Sequence, residues 1–148
     1  MNETIIKQIE ELAKDTNRLS FLCNTSSLIN EKMNNVNWVG FYIAKKDALY
    51  LGPFQGKLAC NKIEFNKGVC GKAFSNNEIL NVKNVKEFDG YIACDSDSKS
   101  ELVIPLVYND KKIGVLDIDS KVFNRFNDYD IKVLKQVSQI ISKVLYKA

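Results

Sequence analysis

The chain has 148 residues, 45% of them hydrophobic, and a formal net charge of +3 from 21 Lys and Arg against 18 Asp and Glu. That describes one globular domain over residues 1–148 with material for a full core. The lysines are scattered and only Arg18 and Arg125 are arginines, so the mild basicity reads as a solvated surface and not as a nucleic-acid face. No run reaches the length of a membrane span. The start, MNETIIKQIEELAK, lacks the charged and apolar regions of a signal peptide, which places the expected location in the cytoplasm.

Taken in order, residues 2–33 read as two helices. Ile5, Ile6, Ile9, Leu12 and Ala13 fall at helical spacing, Thr16-Asn17 is a break and cap, and Leu19, Leu22, Cys23, Ser26 and Ile29 make a second stripe. Cys23 inside that stripe reads as a buried helix cysteine. Residues 36–44 (VNWVGFYIA) and 48–52 read as two strands around the turn Lys45-Lys46-Asp47. Alternation puts Trp38, Gly40 and Tyr42 on one face, where the aromatics suit a core or the wall of an apolar pocket; spacing alone favours core.

Residues 52–60 (GPFQGKLAC) are punctuated by Gly52-Pro53 and Gly56 and read as a loop ending at Cys60. A short strand over 62–65 precedes GVCGKAF (68–74), which opens a short helix. A cysteine near a helix N-terminus has its thiolate favoured by the dipole, which gives Cys70 one argument for reactivity. Residues 78–82 form another short strand.

The stretch DGYIACDSDSKSE (89–101) is centred on Cys94. Tyr91, Ile92 and Ala93 lead in from a strand or short helix, and the Ser and Asp residues that follow are loop chemistry. A thiol at that transition is open to solvent and substrate. Residues 102–108 and 111–118 then form a hairpin across Asn109-Asp110. Asp117 and Asp119 share one face at the strand mouth, and antiparallel pairing brings Glu101 beside them. Such carboxylates repel unless a cation, a metal or a shared proton joins them. Residues 127–147 make the last helix, with Asn127 as cap and Leu134, Val137, Ile141, Val144 and Leu145 as its buried face. The order of elements indicates an α+β domain, a mostly antiparallel sheet flanked by terminal helices.

Four cysteines (Cys23, Cys60, Cys70, Cys94) and no histidine limit the chemistry. The sequence has no closely spaced cysteine pair of the kind structural zinc uses, so no metal centre is expected. Without histidine there is no Ser-His or Cys-His base. Any cysteine nucleophile must be activated by other groups.

The motifs NWVGFY (37–42), GPFQGKLAC (52–60), GVCGKA (68–73), IACDSDSKSELVIPL (92–106) and GVLDIDS (114–120) resemble, in order, the free methionine-(R)-sulfoxide reductase family, which is built on a single GAF domain. The chain departs from the family's pattern at Leu58, usually Pro, and at Tyr91, usually His. The resemblance implies reduction of free L-methionine-(R)-S-oxide with no cofactor and no metal. Cys94 would attack the sulfoxide sulfur, Cys70 would resolve the resulting sulfenic acid as a disulfide, and Cys60 would form or relay a second one; the sequence leaves open which of Cys70–Cys94 and Cys60–Cys94 dominates. Thioredoxin would recycle the enzyme, Glu101, Asp117 and Asp119 would hold the substrate, and Trp38 and Tyr42 would wall its methylthio end. It also implies a homodimer. The alternative is a GAF sensor that binds a small molecule without turnover, a role that needs no cysteine trio.

Overall fold

The computed structural model describes residues 1–14 and 17–148. Its elements are α1 (Thr4–Leu12), α2 (Arg18–Lys32), β1 (Trp38–Ala44), β2 (Ala48–Gln55), β3 (Lys62–Glu64), α3 (Gly68–Asn76), β4 (Leu80–Val82), β5 (Ser100–Tyr108), β6 (Lys111–Ser120) and α4 (Asp128–Lys147). A single 3-10 turn at Val85–Glu87 follows β4. One six-stranded sheet, in the order β3-β2-β1-β6-β5-β4, is antiparallel throughout, as an α+β reading requires.

Alternation along the strands builds two cores on the two faces of this sheet. On one face Val39, Phe41, Leu102, Ile104, Leu106, Leu116 and Ile118 pack against α1, α2 and α4. On the other, Trp38, Tyr42, Leu49, Val103 and Val115 pack against α3 through Val69, Cys70, Ala73 and Phe74. The β5–β6 hairpin turns at Asn109 and Asp110, both at positive φ (49° and 61°) as a two-residue type I′ turn needs. Asn127 caps α4 by accepting from the Asp130 amide at 2.8 Å, and Asp130 accepts from the Asn127 amide in return. Asn17 caps α2 by accepting from the Ser20 amide at 3.1 Å; Thr16, the other half of the expected break, lies outside the described residues.

Three expectations change. First, β2 continues past Gly52-Pro53 to Gln55. Gly40 pairs with Phe54 and Tyr42 with Leu51, so Gly52 and Pro53 together oppose Phe41. This bulge is a place where a strand accepts proline, because the missing N–H is not needed in the ladder there. Second, α2 turns Phe21, Leu22, Thr25, Ser26 and Ile29 inward. The face is centred one residue from the expected stripe because Phe21 is its largest anchor. Leu19 is 63% exposed in consequence, and Cys23 lies at the surface instead of in the core. Third, Cys94 follows neither a strand nor a helix; residues 88–99 are irregular.

Candidate active site

β1, β5 and β6 meet where the α3 face of the sheet reaches its open end. In the register, Glu101 stands opposite Asp119, and Trp38 opposite Asp119 on the other side. Asp117 lies two residues further along the same face of β6, opposite Gly40 and Val103. Period-two geometry therefore delivers the three carboxylates and the two aromatics to one cavity. Trp38, Tyr42, Ile63, Val69, Cys70, Tyr91, Cys94, Asp95, Glu101, Asp117 and Asp119 all line it.

The aromatic wall is held as well as packed. Trp38 stacks on Tyr42 and on Phe54, with centroids 6.0 and 5.3 Å apart. Trp38 Nε1 donates to the Lys57 carbonyl at 3.2 Å, and Tyr42 Oη donates to the Cys60 carbonyl at 2.9 Å. The two aromatics thus fix the backbone of the loop that carries Cys60. Gly40 between them has no room for a side chain, since a Cβ there would run into Phe54 and the Trp38 ring.

Across the cavity mouth, Cys60 is disulfide-bonded to Cys94, with 5.4 Å between their Cα atoms. The Cys94 loop is tied down by polar contacts. Asn37 donates to Asp95 at 3.0 Å and to the Ser98 hydroxyl at 3.3 Å, while Asp95 accepts from the Asp97 amide at 2.9 Å. Lys57 meets Asp97 at 2.7 Å across the gap between the two cysteine loops. Gly68, at φ 61°, opens α3 directly beneath Ile92, where a Cβ would sit 3.0 Å from the Ile92 side chain.

The floor is acidic and buried. Glu101, Asp117 and Asp119 are 6%, 5% and 9% exposed. Among the described residues no Lys or Arg pairs with any of them. Burial pushes the Glu101 and Asp119 carboxyls well above the ordinary range, and the neighbouring Asp117 charge adds to it in both. Asp117 is raised by burial, with the neighbouring Glu101, Cys70 and Asp119 groups working the other way. Burial, followed by Glu101, raises the Tyr91 hydroxyl in the same cavity.

Residues 26–145 match the GAF domain family. The chain is 49% identical over 134 residues to the free methionine-R-sulfoxide reductase of Escherichia coli K12, covering 90% of this chain and 81% of the relative. It is 43% identical over 130 residues to the enzyme of that name from Saccharomyces cerevisiae, covering 82% and 72%. The structure of Staphylococcus aureus fRMsr in complex with substrate superposes with a TM-score of 0.91 at 44% identity, over 97% of this chain and 95% of that one. The chain belongs to the free methionine-R-sulfoxide reductase family of GAF domains.

Within that family framework, the fold brings together all eight residues singled out from sequence: Cys94, Cys70 and Cys60, with Trp38, Tyr42, Glu101, Asp117 and Asp119. The sequence leaves the disulfide partner of Cys94 open between Cys70 and Cys60. The disulfide joins Cys94 to Cys60, and Cys70 remains a free thiol, 4% exposed, with Sγ 3.9 Å from Glu101 Oε2. Its place in the first turn of α3 does not favour the thiolate. Burial, and after it Asp117, Glu101 and Asp119, push the Cys70 thiol well above its usual value and outweigh the helix dipole. The two departures from the family's pattern sit differently. Leu58 is 89% exposed beside the Cys60 loop, while Tyr91 is half-buried within the cavity wall.

Sequence reasoning missed Asn37, Asp95, Lys57 and Asp97, which position the two cysteine loops. The available signal was Asp95-Ser96-Asp97 directly after Cys94, an Asx-turn pattern whose spare acceptors need donors from elsewhere. Which donors they find is decided by long-range packing.

Proposed function

We propose that this protein reduces free L-methionine-(R)-S-oxide to L-methionine. The Cys94 thiolate attacks the sulfoxide sulfur, a cavity carboxylic acid supplies the proton that the oxygen needs, and methionine leaves behind a Cys94 sulfenic acid. The Cys60 thiol then condenses with that sulfenic acid, releasing water and forming the disulfide. A thioredoxin-type dithiol reduces the disulfide by exchange and is itself oxidised. Each cycle therefore converts one sulfoxide and one dithiol into one sulfide, one disulfide and one water.

The observation that carries this reading is the Cys60–Cys94 disulfide at the mouth of a cavity floored by buried carboxylates. It supports Cys60 as the resolving partner, with Cys70 held apart in the floor. The raised carboxyls support the acid role, because a carboxylic acid that keeps its proton towards neutral pH is a usable donor. The same carboxylates, once one of them is ionised, suit the ammonium of a free amino acid, a charge that a peptide-bound residue lacks. Trp38 and Tyr42 offer an apolar wall for the methylthio end.

The test is thioredoxin-coupled NADPH oxidation with the free R epimer, the free S epimer and a peptide-bound sulfoxide. Turnover of the free R form alone is expected. Cys94→Ser should fall below about one thousandth of the parent rate. Cys60→Ser should still release methionine in a single turnover while its steady-state rate falls by about tenfold or more, because sulfenic acid accumulates when no nearby thiol condenses with it. Tight binding of methionine without turnover in the parent would replace this reading with a small-molecule sensor.

A further inference from the structure

Cys70 has no step in the cycle above, yet it is buried in the cavity floor against the acids. Its Sγ, a Glu101 carboxylate oxygen and an Asp117 carboxylate oxygen all lie within 4.8 Å of one another. Two more observations point to a ligand there. Asp117 Oδ1 and Asp119 Oδ1 are buried oxygens without a hydrogen-bond partner, on residues more than nine-tenths buried that line this cavity. The nearby cations are engaged elsewhere: Lys57 and Lys121 reach Asp97, Lys72 reaches the Asp89 carbonyl and Arg125 reaches Asp130. Among the described residues, the floor is a set of sulfur and carboxyl donors that no Lys or Arg pairs with.

We propose that Cys70, Glu101 and Asp117 form a binding site for a borderline-soft divalent cation, with zinc as the best fit, and that the cation occupies the cavity in competition with substrate. The donor set selects the metal. One thiolate and two carboxylates are too few and too soft for calcium or magnesium, which take six or more oxygens. Zinc accepts sulfur and oxygen together in four-coordinate geometry. Sulfur and oxygen ligands across a tetrahedral zinc stand about 3.6 Å apart from bonds of about 2.3 and 2.1 Å. Cys70 Sγ and Glu101 Oε2 at 3.9 Å are close to that spacing before either side chain moves. The fourth position falls to a water or to the Asp119 carboxylate, which is otherwise unpartnered on its Oδ1. Binding displaces the thiol proton to solvent and leaves a thiolate–metal bond, with no redox change.

The site differs from the zinc motifs that a sequence shows. Its ligands are 31 and 16 residues apart, and only α3 crossing the β5–β6 hairpin brings them together. A cation there fills the carboxylate floor where an ammonium would otherwise sit. The predicted behaviour is a reductase that zinc silences and a chelator restores.

The experiment uses the disulfide form of the full chain, in which Cys60 and Cys94 carry no thiol, and only Cys23 and Cys70 remain. Cobalt(II) is titrated into chelator-treated protein, and the thiolate-to-cobalt charge-transfer band in the near ultraviolet is followed. One cobalt per chain with that band, displaced by zinc, is expected. Cys70→Ser should abolish the band and Cys23→Ser should retain it. Asp117→Asn, which keeps the thiol, should retain the band but weaken zinc affinity by about tenfold or more through loss of a charged ligand. Absence of the band in the parent, its survival in Cys70→Ser, or its loss in Cys23→Ser would overturn the proposal. No substrate or reductant enters the titration, so its outcome is independent of whether the reductase reading holds.

Discussion

The two faces of the one sheet are made from the same strands and do opposite work. Towards α1, α2 and α4, β1, β5 and β6 present Val39, Phe41, Leu102, Ile104, Leu106, Leu116 and Ile118, all apolar and all buried. Towards α3, the same strands present Trp38, Tyr42, Val103 and Val115, but also Glu101, Asp117 and Asp119, buried as well and, among the described residues, paired with no Lys or Arg. A side chain's neighbour in sequence lies on the other face, so each strand alternates between the helix-covered core and the acidic cavity wall. The helix-covered face contributes the hydrophobic stabilisation that lets the other face bury like charges together, an arrangement that is unfavourable on its own.

If that division is real, substitutions should separate stability from activity according to face. Leu116→Ala, on the helix-covered face, should lower unfolding free energy by about 2–5 kcal/mol in urea denaturation while leaving kcat near the parent value. A large fall in kcat with unchanged stability would break the comparison. Gly40→Ala, on the cavity face, should lower stability by about 1–3 kcal/mol through overpacking and also reduce activity, because the added methyl displaces Trp38. Asp119→Asn should part from both in the sign of its stability change: turnover falls, yet stability at pH 8 rises by about 1–2 kcal/mol because a buried like charge is removed. The sign of the pH dependence follows from the raised carboxyl. A group whose folded pKa lies above its unfolded one stabilises the fold at low pH, and that contribution is lost as pH climbs through the folded value. Parent stability should therefore decline from about pH 4 upwards, and the Asn variant should decline less over the same range in pH-stepped melts. The smallest effect belongs to Asn127→Ala, which removes the α4 cap, costs about 1 kcal/mol and leaves the R-sulfoxide KM unchanged.

Much of this was legible in the chain. The alternation of Trp38, Gly40 and Tyr42, the Asn109-Asp110 turn and the placing of Glu101 beside the β6 acids all follow from local periodicity, and the register follows from the turn. What stayed hidden depended on contacts distant in sequence. Gly52-Pro53 resembles a strand end and is a bulge, because β1 supplies a partner with one residue fewer. Cys23 resembles a core residue, but Phe21 and Thr25 win the inward positions of α2. Cys70 resembles an activated thiol at a helix start. It is the opposite because α3 lies over the acids of β5 and β6, a juxtaposition no local window contains.

The disulfide also closes a covalent ring. Its two cysteines are 34 residues apart, and the enclosed segment holds the two edge strands β3 and β4, the 3-10 turn, and α3, the helix that covers the cavity face. Closing a loop of that length removes unfolded-state entropy equivalent to about 4 kcal/mol in the simplest chain model. In the proposed cycle the protein thus alternates between a linear chain and a lariat-like topology once per turnover. The lid over the acids is most firmly held when the enzyme is oxidised and awaiting its reductant, and loosest when it is reduced and must admit the next substrate.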